Sequence, residues 1–141
     1  MRFVDANIFL RALAEPQNEA DRLKAQSCAA LFQRLSTGEE LGRTIEAIIT
    51  EVAYVLRSRA HYHLAPAEIA ARLRPILALR GLRLTNKQTY LRALDLWEAH
   101  PALDFEDVLS IAHMERLGLK EILSYDTDFD NVPGVDRIEP K

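Results

Sequence analysis

The sequence predicts an α/β fold in which a parallel β-sheet is covered by helices on both faces. Short apolar segments alternate along the chain with longer segments whose apolar residues recur at helical spacing. Their order, βα, α, βα, α, βα, α, β, is typical of a parallel sheet. Acidic residues follow predicted strands and begin predicted helices, and these ends meet at the mouth of an open α/β sheet, where such folds bind ligands.

The first half of the chain is predicted to hold two strands and three helices. The opening segment is a brief apolar strand that ends in a carboxylate, and a helical pattern follows it directly. Ser36-Thr37-Gly38 is a stop signal after the second helix. The predicted elements are a strand over Met1 to Asp5, a helix over 6–15, a helix over Asn18 to Leu35, a strand over Leu41 to Ile45 and a helix over Ala47 to Arg59.

The second half is predicted to hold three helices and three strands. Pro75 is expected to bend or break the fourth helix, and Trp97 is expected in the core or on a dimer surface. Gly118 is expected to end the sixth helix. The predicted elements are a helix from Pro66 to about Leu79, a strand over Leu82 to Leu84, a helix from a cap at Thr85 or Asn86 to about Ala99, a helix ending at Leu117, a strand over Glu121 to Tyr125 and an edge strand over Val135 to Ile138.

Composition bounds the classes of protein that remain. The 141 residues, 48% of them hydrophobic, predict one domain spanning residues 1–141. The chain has no long apolar run and no secretion signal, so we expect a cytoplasmic protein without membrane association. Cys28 is the only cysteine, and its apolar helical setting predicts a packed core thiol. A net charge of −3 argues against a broad cationic surface for duplex nucleic acid, although a local one stays open.

Acidic residues are concentrated around the sixth helix and the strand after it. Asp104, Glu106 and Asp107 crowd the first turn of the helix, where the helix dipole favours acids and Asp104 could be the N-cap. Which of the three faces a site is left open. The segment beginning at Asp126 has aspartates at the first, third and fifth places of a calcium loop. It is not an EF-hand, because the sixth place lacks glycine and the twelfth is Arg137.

Two further carboxylates are candidates for the same site. Asp5 follows the first strand, and its alternative role is that of an ordinary helix N-cap. Asn7 could bond Asp5 or cap the helix. Glu51 stands within an apolar helical stretch, with Glu46 as a competing acid just upstream.

Asp5, Glu51, Asp107 and Asp126 together predict a metal site. Right-handed crossovers bring strand ends and helix beginnings to one edge of a parallel sheet. Several carboxylates that lie close together cannot all stay ionised unless a cation neutralises them, and an all-oxygen ligand set selects Mg²⁺ or Mn²⁺. A water acidified by such an ion can attack a phosphodiester. The sequence contains no Walker loop, dinucleotide fingerprint or nucleophile elbow, so kinase, dehydrogenase and serine-hydrolase functions lack their basic parts.

The segments around these acids resemble the PIN-domain ribonucleases, especially the VapC-type toxins of bacterial toxin–antitoxin pairs. The resemblance covers essentially the whole chain and rests on the order and separation of four motifs. The matching segments are FVDANIFL with Asp5, IITEVAYVL with Glu51, DFEDVLSIAH with Asp107, and SYDTDF with Asp126 and Phe129.

The resemblance implies that these four acids bind the metal and carry out catalysis. It implies a supporting role for Asn7 and for Asp128, and Ser124 stands where the family commonly has threonine. It further implies a three-layer α/β/α sandwich around one mostly parallel five-stranded sheet, a homodimer, Mg²⁺- or Mn²⁺-dependent cleavage of RNA, and inhibition by a cognate antitoxin.

Three arginines are candidates for contacts with RNA: Arg11, Arg57 and Arg59. Two alternatives to the nuclease remain open. A Mg²⁺-dependent phosphatase shares the strand-end acids but usually has a second Asp where this chain has Asn7. A catalytically silent PIN-like module would act only by binding another protein.

Overall fold

A computed structural model describes all residues from 1 to 141 and contains six α-helices and five short strands. The predicted α/β class, with parallel strands, is therefore confirmed. Every predicted helix and strand is present, with ends that differ from the prediction by a few residues. The elements are β1 Arg2–Phe3, α1 Ala6–Leu13, α2 Glu19–Thr37, β2 Gly42–Arg43, α3 Glu46–Arg57, α4 Pro66–Leu77, β3 Leu82–Arg83, α5 Lys87–Ala99, α6 Phe105–Leu117, β4 Glu121–Leu123 and β5 Asp136–Ile138, with a 3₁₀ helix at Thr127–Asn131.

The strands form two separate parallel sheets, so the prediction of one five-stranded sheet is wrong. One sheet has the order β1-β2-β3, and the other pairs β4 with β5. The N–H groups of Arg2 and Val4 donate to β2, so the alternate residue Phe3 turns its backbone groups toward the open edge of β1. Ser124 donates to β5 in the same way, which leaves Leu123 at the open edge of β4.

The split follows from the length of the strands. Because β1 has two residues and β4 has three, each offers a further neighbour the backbone groups of about one residue. Phe3 and Leu123 remain 56% and 72% exposed at these edges. The periodicity of the sequence gave no measure of this shortness, because apolar residues continue past the ends of the hydrogen-bonded ladder.

Local capping signals account for the ends of the helices. Asn18 accepts a hydrogen bond from the Asp21 N–H at the start of α2, and Gly38 ends that helix in the left-handed region with φ of 80°. Gly118 ends α6 in the same way, with φ of 72°. The predicted bend at Pro75 does not end α4, which continues to Leu77 with the proline exposed on its surface.

The interior is one connected cluster of 29 buried residues from every helix. Trp97 is almost fully buried; its ring lies 5.4 Å from that of Phe105, and its indole N–H donates to the Leu103 carbonyl at 2.7 Å. Cys28 is buried and its pKa is raised by burial, which confirms the predicted core thiol. None of the helices combines the length and the apolar character that crossing a membrane requires.

Candidate metal-binding and nuclease site

Asp5 directly precedes α1 and occupies the N-cap position of that helix. Its side chain is exposed and makes no capping hydrogen bond, although the helix begins there. Ordinary capping therefore does not account for this carboxylate. Asn7, in the first turn of α1, is also exposed, and its side chain makes no hydrogen bond to Asp5 or to the helix end.

Asp107 lies half-buried in the first turn of α6, between the exposed residues Asp104 and Glu106. Burial raises the pKa of its carboxyl group, and a long hydrogen bond of 3.4 Å from the Asp104 N–H partly opposes that rise. The negative charges of Asp104, Asp126 and Glu106 raise the pKa further. Asp107 and Asp126 therefore lie close enough for their charges to interact, although they are on different elements.

Asp126 follows β4 and begins the 3₁₀ helix, an element that the sequence did not predict. Its Oδ1 accepts a hydrogen bond from the Asp128 N–H at 2.9 Å, so part of its role is capping. The hydroxyl oxygen of Ser124 accepts a hydrogen bond from the Asp126 N–H at 3.0 Å and fixes the backbone at this position. The carboxylate of Asp128 is exposed and has no ion-pair partner.

The two acids at the start of α3 differ in their surroundings. Glu46 lies 2.7 Å from the imidazole Nε2 of His113 and accepts a longer hydrogen bond from the Tyr90 hydroxyl at 3.4 Å. Burial, together with the negative charge of Glu46, raises the pKa of Tyr90. Glu51 has no such partner. It faces an open groove of about 680 Å³ that Glu106 and His113 also line.

The four predicted acids share one electrostatic property. Eleven ion pairs occur in the structure, and all of them involve other carboxylates. No basic side chain therefore offsets the charges of Asp5, Glu51, Asp107 and Asp126. A cluster of this kind favours a bound cation.

The chemistry of these donors suits Mg²⁺ or Mn²⁺, since all of them are carboxylate oxygens. No three histidine, cysteine, aspartate or glutamate side chains are placed to bind one ion together. This spacing is compatible with Mg²⁺, which usually keeps several waters and binds one or two carboxylates together with substrate phosphates. Asp107 and Asp126 are the pair whose charges interact, so they are best placed to share an ion.

The three arginines proposed for RNA contacts have different degrees of freedom. Arg11 pairs with Asp21 at 2.9 Å, and Arg57 donates to the Leu64 carbonyl at 3.5 Å. Both therefore contribute to internal structure. Arg59 is exposed and has no ion-pair partner.

Sequence reasoning missed two features beside the acids. One is the contact between Glu46 and His113; the spacing of Glu106, Ser110 and His113 on α6 could have indicated a polar stripe on that helix. The other is a cavity of about 230 Å³ along α1 that Tyr62 helps to line. The only signal for Tyr62 was its position among basic residues.

Comparison with curated proteins gives no match. The PIN domain family model matches residues 2–135, which include β1 with Asp5, α3 with Glu51, α6 with Asp107 and the segment after β4 with Asp126. This match covers nearly the whole chain and every element of the candidate site. The chain therefore belongs to the PIN domain family.

Proposed function

We propose that this protein is a metal-dependent endoribonuclease, the toxin of a toxin–antitoxin pair. PIN domains are typically metal-dependent nucleases, and the chain matches that family from residue 2 to 135. The observation that carries the proposal is that Asp5, Glu51, Asp107 and Asp126 have no basic partner, while the neighbouring acids raise the pKa of Asp107. Such an arrangement suits a divalent cation better than it suits the stability of the chain alone.

In this proposal the four acids hold Mg²⁺ or Mn²⁺ and position the RNA phosphodiester. The ion, when bound, acidifies a water and offsets charge on the phosphodiester oxygens. Ser124 supports Asp126 through the hydrogen bond from its N–H. Asn7 is placed to support Asp5 because its amide makes no internal hydrogen bond, and Asp128 supplies a further carboxylate beside Asp126.

The toxin assignment rests on the resemblance of four motifs to the VapC-type proteins. It proposes a cytoplasmic homodimer, RNA as the substrate, and inhibition by a co-expressed antitoxin. A short neighbouring reading frame that encodes a DNA-binding protein would support this assignment without biochemistry. Co-expression with that product should suppress the toxicity and the nuclease activity.

A second candidate function is a PIN-like module that binds another protein without catalysis. It is favoured by the absence of any three potential ligands placed to bind one ion. It gives no reason for four carboxylates of a PIN domain to lack basic partners. We therefore place it second.

The test is cleavage of a mixed RNA pool by purified, partner-free protein in EDTA, Mg²⁺ or Mn²⁺. We expect cleavage with metal and its loss by at least about a hundredfold in Asp5→Asn, since each removed ligand weakens metal and substrate positioning. Glu51→Gln should behave like Asp5→Asn. The matched control is Glu46→Gln, which should retain cleavage because Glu46 contacts His113.

Three outcomes would contradict the proposal. Wild-type rates in Asp5→Asn would remove that residue from the site. An inactive Glu46→Gln beside an active Glu51→Gln would exchange the roles of the two glutamates. Folded protein that cuts no RNA with either metal would favour the binding module.

A further inference from the structure

A cavity of about 230 Å³ runs along one face of α1, beginning at the turn that carries Asp5. Asn7, Leu10, Arg11 and Ala14 line it at positions i, i+3, i+4 and i+7, which form a single stripe on a helix. At 1.5 Å per residue this stripe extends roughly 10 Å from the first turn. The cavity is therefore a neighbour of the proposed metal site and no part of it.

Tyr62 forms a wall of this cavity from the loop that follows α3. The loop is fixed by its backbone, because the N–H groups of His61 and His63 both donate to the Ser58 carbonyl at 3.0 Å. Its ring is 37% exposed, so it is anchored and still accessible from solvent. This is the arrangement that a stacking platform needs.

Three polar side chains around the cavity make no internal hydrogen bond: Asn7, Glu15 and Gln17. The two amides offer donors and acceptors, and the carboxylate offers acceptors. Arg11 is held in place by Asp21 at 2.9 Å, and that bond occupies only one of its five N–H groups. The cavity thus combines an aromatic face, apolar walls and free groups able to recognise a polar edge.

We infer that this cavity binds one nucleobase of single-stranded RNA, stacked on Tyr62, next to the cleaved phosphodiester. A nucleobase has a flat π-face and an edge of hydrogen-bond donors and acceptors, which match the aromatic ring and the free polar groups. The exposed Arg59, three residues before Tyr62, is available for the adjoining phosphate. A stacked duplex keeps its bases inside, so the cavity selects unpaired RNA. The inference rests on the proposed nuclease function for its substrate class.

The test uses a short single-stranded RNA carrying one 2-aminopurine, bound to the full chain in EDTA so that no cleavage occurs. We expect stacking to quench 2-aminopurine fluorescence, and Tyr62→Ala to weaken binding by about tenfold and to abolish the quenching. Tyr62→Phe keeps the ring and should retain both. Leu117→Ala removes another exposed apolar side chain, one that lies outside the cavity, and should behave like the wild type.

The cleavage assay separates this inference from the nuclease proposal. In an active enzyme Tyr62→Ala should raise KM and leave kcat at saturating RNA nearly unchanged, because the ring binds the substrate without touching the acids. A protein that cuts nothing but binds RNA through Tyr62 would refute the nuclease and retain the cavity. An active protein whose Tyr62→Ala variant binds and quenches normally would overturn the cavity. Should Tyr62→Ala fail to fold, Gln17→Ala, at an exposed position, and an RNA with an abasic nucleotide replace it, and unchanged affinity in both would equally overturn the inference.

Discussion

Replacing Asp107 with asparagine should stabilise the metal-free protein while it abolishes cleavage. Asp107 is half-buried, and the charges of Asp104, Glu106 and Asp126 act on it together with burial to raise its pKa. The folded state therefore binds a proton at Asp107 more tightly than the unfolded chain does. A carboxylate of this kind destabilises the fold at a pH above its folded pKa, and the effect vanishes as the pH falls toward its ordinary value.

The magnitude follows from the groups around Asp107. Interactions between partly exposed charges are worth about 0.2–1 kcal/mol each. Asparagine keeps an oxygen that can accept the hydrogen bond from the Asp104 N–H, which is a long bond of 3.4 Å. The substitution therefore removes repulsion and desolvation while it preserves the local bond. We expect a gain of about 1 kcal/mol at neutral pH, which for a domain of this size raises Tm by about 3 °C.

The assay is thermal unfolding by circular dichroism in EDTA at neutral pH and at about pH 4. The advantage of Asp107→Asn should be present at neutral pH and should shrink as the wild-type carboxylate becomes protonated. Asp95→Asn is the matched control; Asp95 pairs with Arg74 at 2.7 Å, so its replacement should bring no gain. A lower Tm for Asp107→Asn at neutral pH would refute the reasoning, because it would show that the carboxylate serves α6 as a cap.

Two further substitutions test the packing that supports the site. Gly81→Ala should lower the free energy of unfolding by about 3 kcal/mol in urea titrations, because its Cβ would lie 2.3 Å from the Glu40 carbonyl and 2.8 Å from that of Leu35; a change below about 1 kcal/mol would mean that this backbone can move. Trp97→Phe should lower it by about 2–3 kcal/mol, since it leaves the buried Leu103 carbonyl without its donor and reduces the packed volume; unchanged unfolding, followed by circular dichroism, would contradict that account.

The sequence predicted the helices well because their ends are encoded locally. Asn18 and Asp104 stand at the starts of α2 and α6, and Gly38 and Gly118 take the left-handed conformation at their ends. Each of these signals depends on residues within one helical turn. The failure at Pro75 is of the same local kind, because a proline two residues before the end of α4 interrupts little of the helix that follows it.

Strand pairing could not be predicted in the same way. Alternation and apolar character indicate where a strand passes, but pairing depends on a partner that lies far away in the chain. The apolar residues Phe3 and Leu123 belong to segments expected at adjacent central strands, and both stand at unpaired edges. The positions of the helix beginnings survive this error, so the acids on α3 and α6 keep their predicted elements.

The site shows the same division between local and distant information. Glu46 and Glu51 are both acids at the beginning of α3, and the sequence left them in competition. The contact that separates them comes from His113, which lies 67 residues away along the chain. A histidine that binds Glu46 at 2.7 Å gives that glutamate a structural partner and leaves Glu51 for the groove.

The distribution of ion pairs also bears on what the acids are for. Glutamates and aspartates that serve only the fold have an evident partner here, as Glu40 has in Arg2 and Arg34, and as Asp130 has in Arg137. Asp5 has neither a basic partner nor a capping hydrogen bond, although it stands at the N-cap position of α1. Repulsion among such groups lowers stability unless something outside the chain compensates for it. The family supplies the chemical class of that compensation, a divalent cation, and the thermal unfolding of Asp107→Asn measures how much the protein lacks without it.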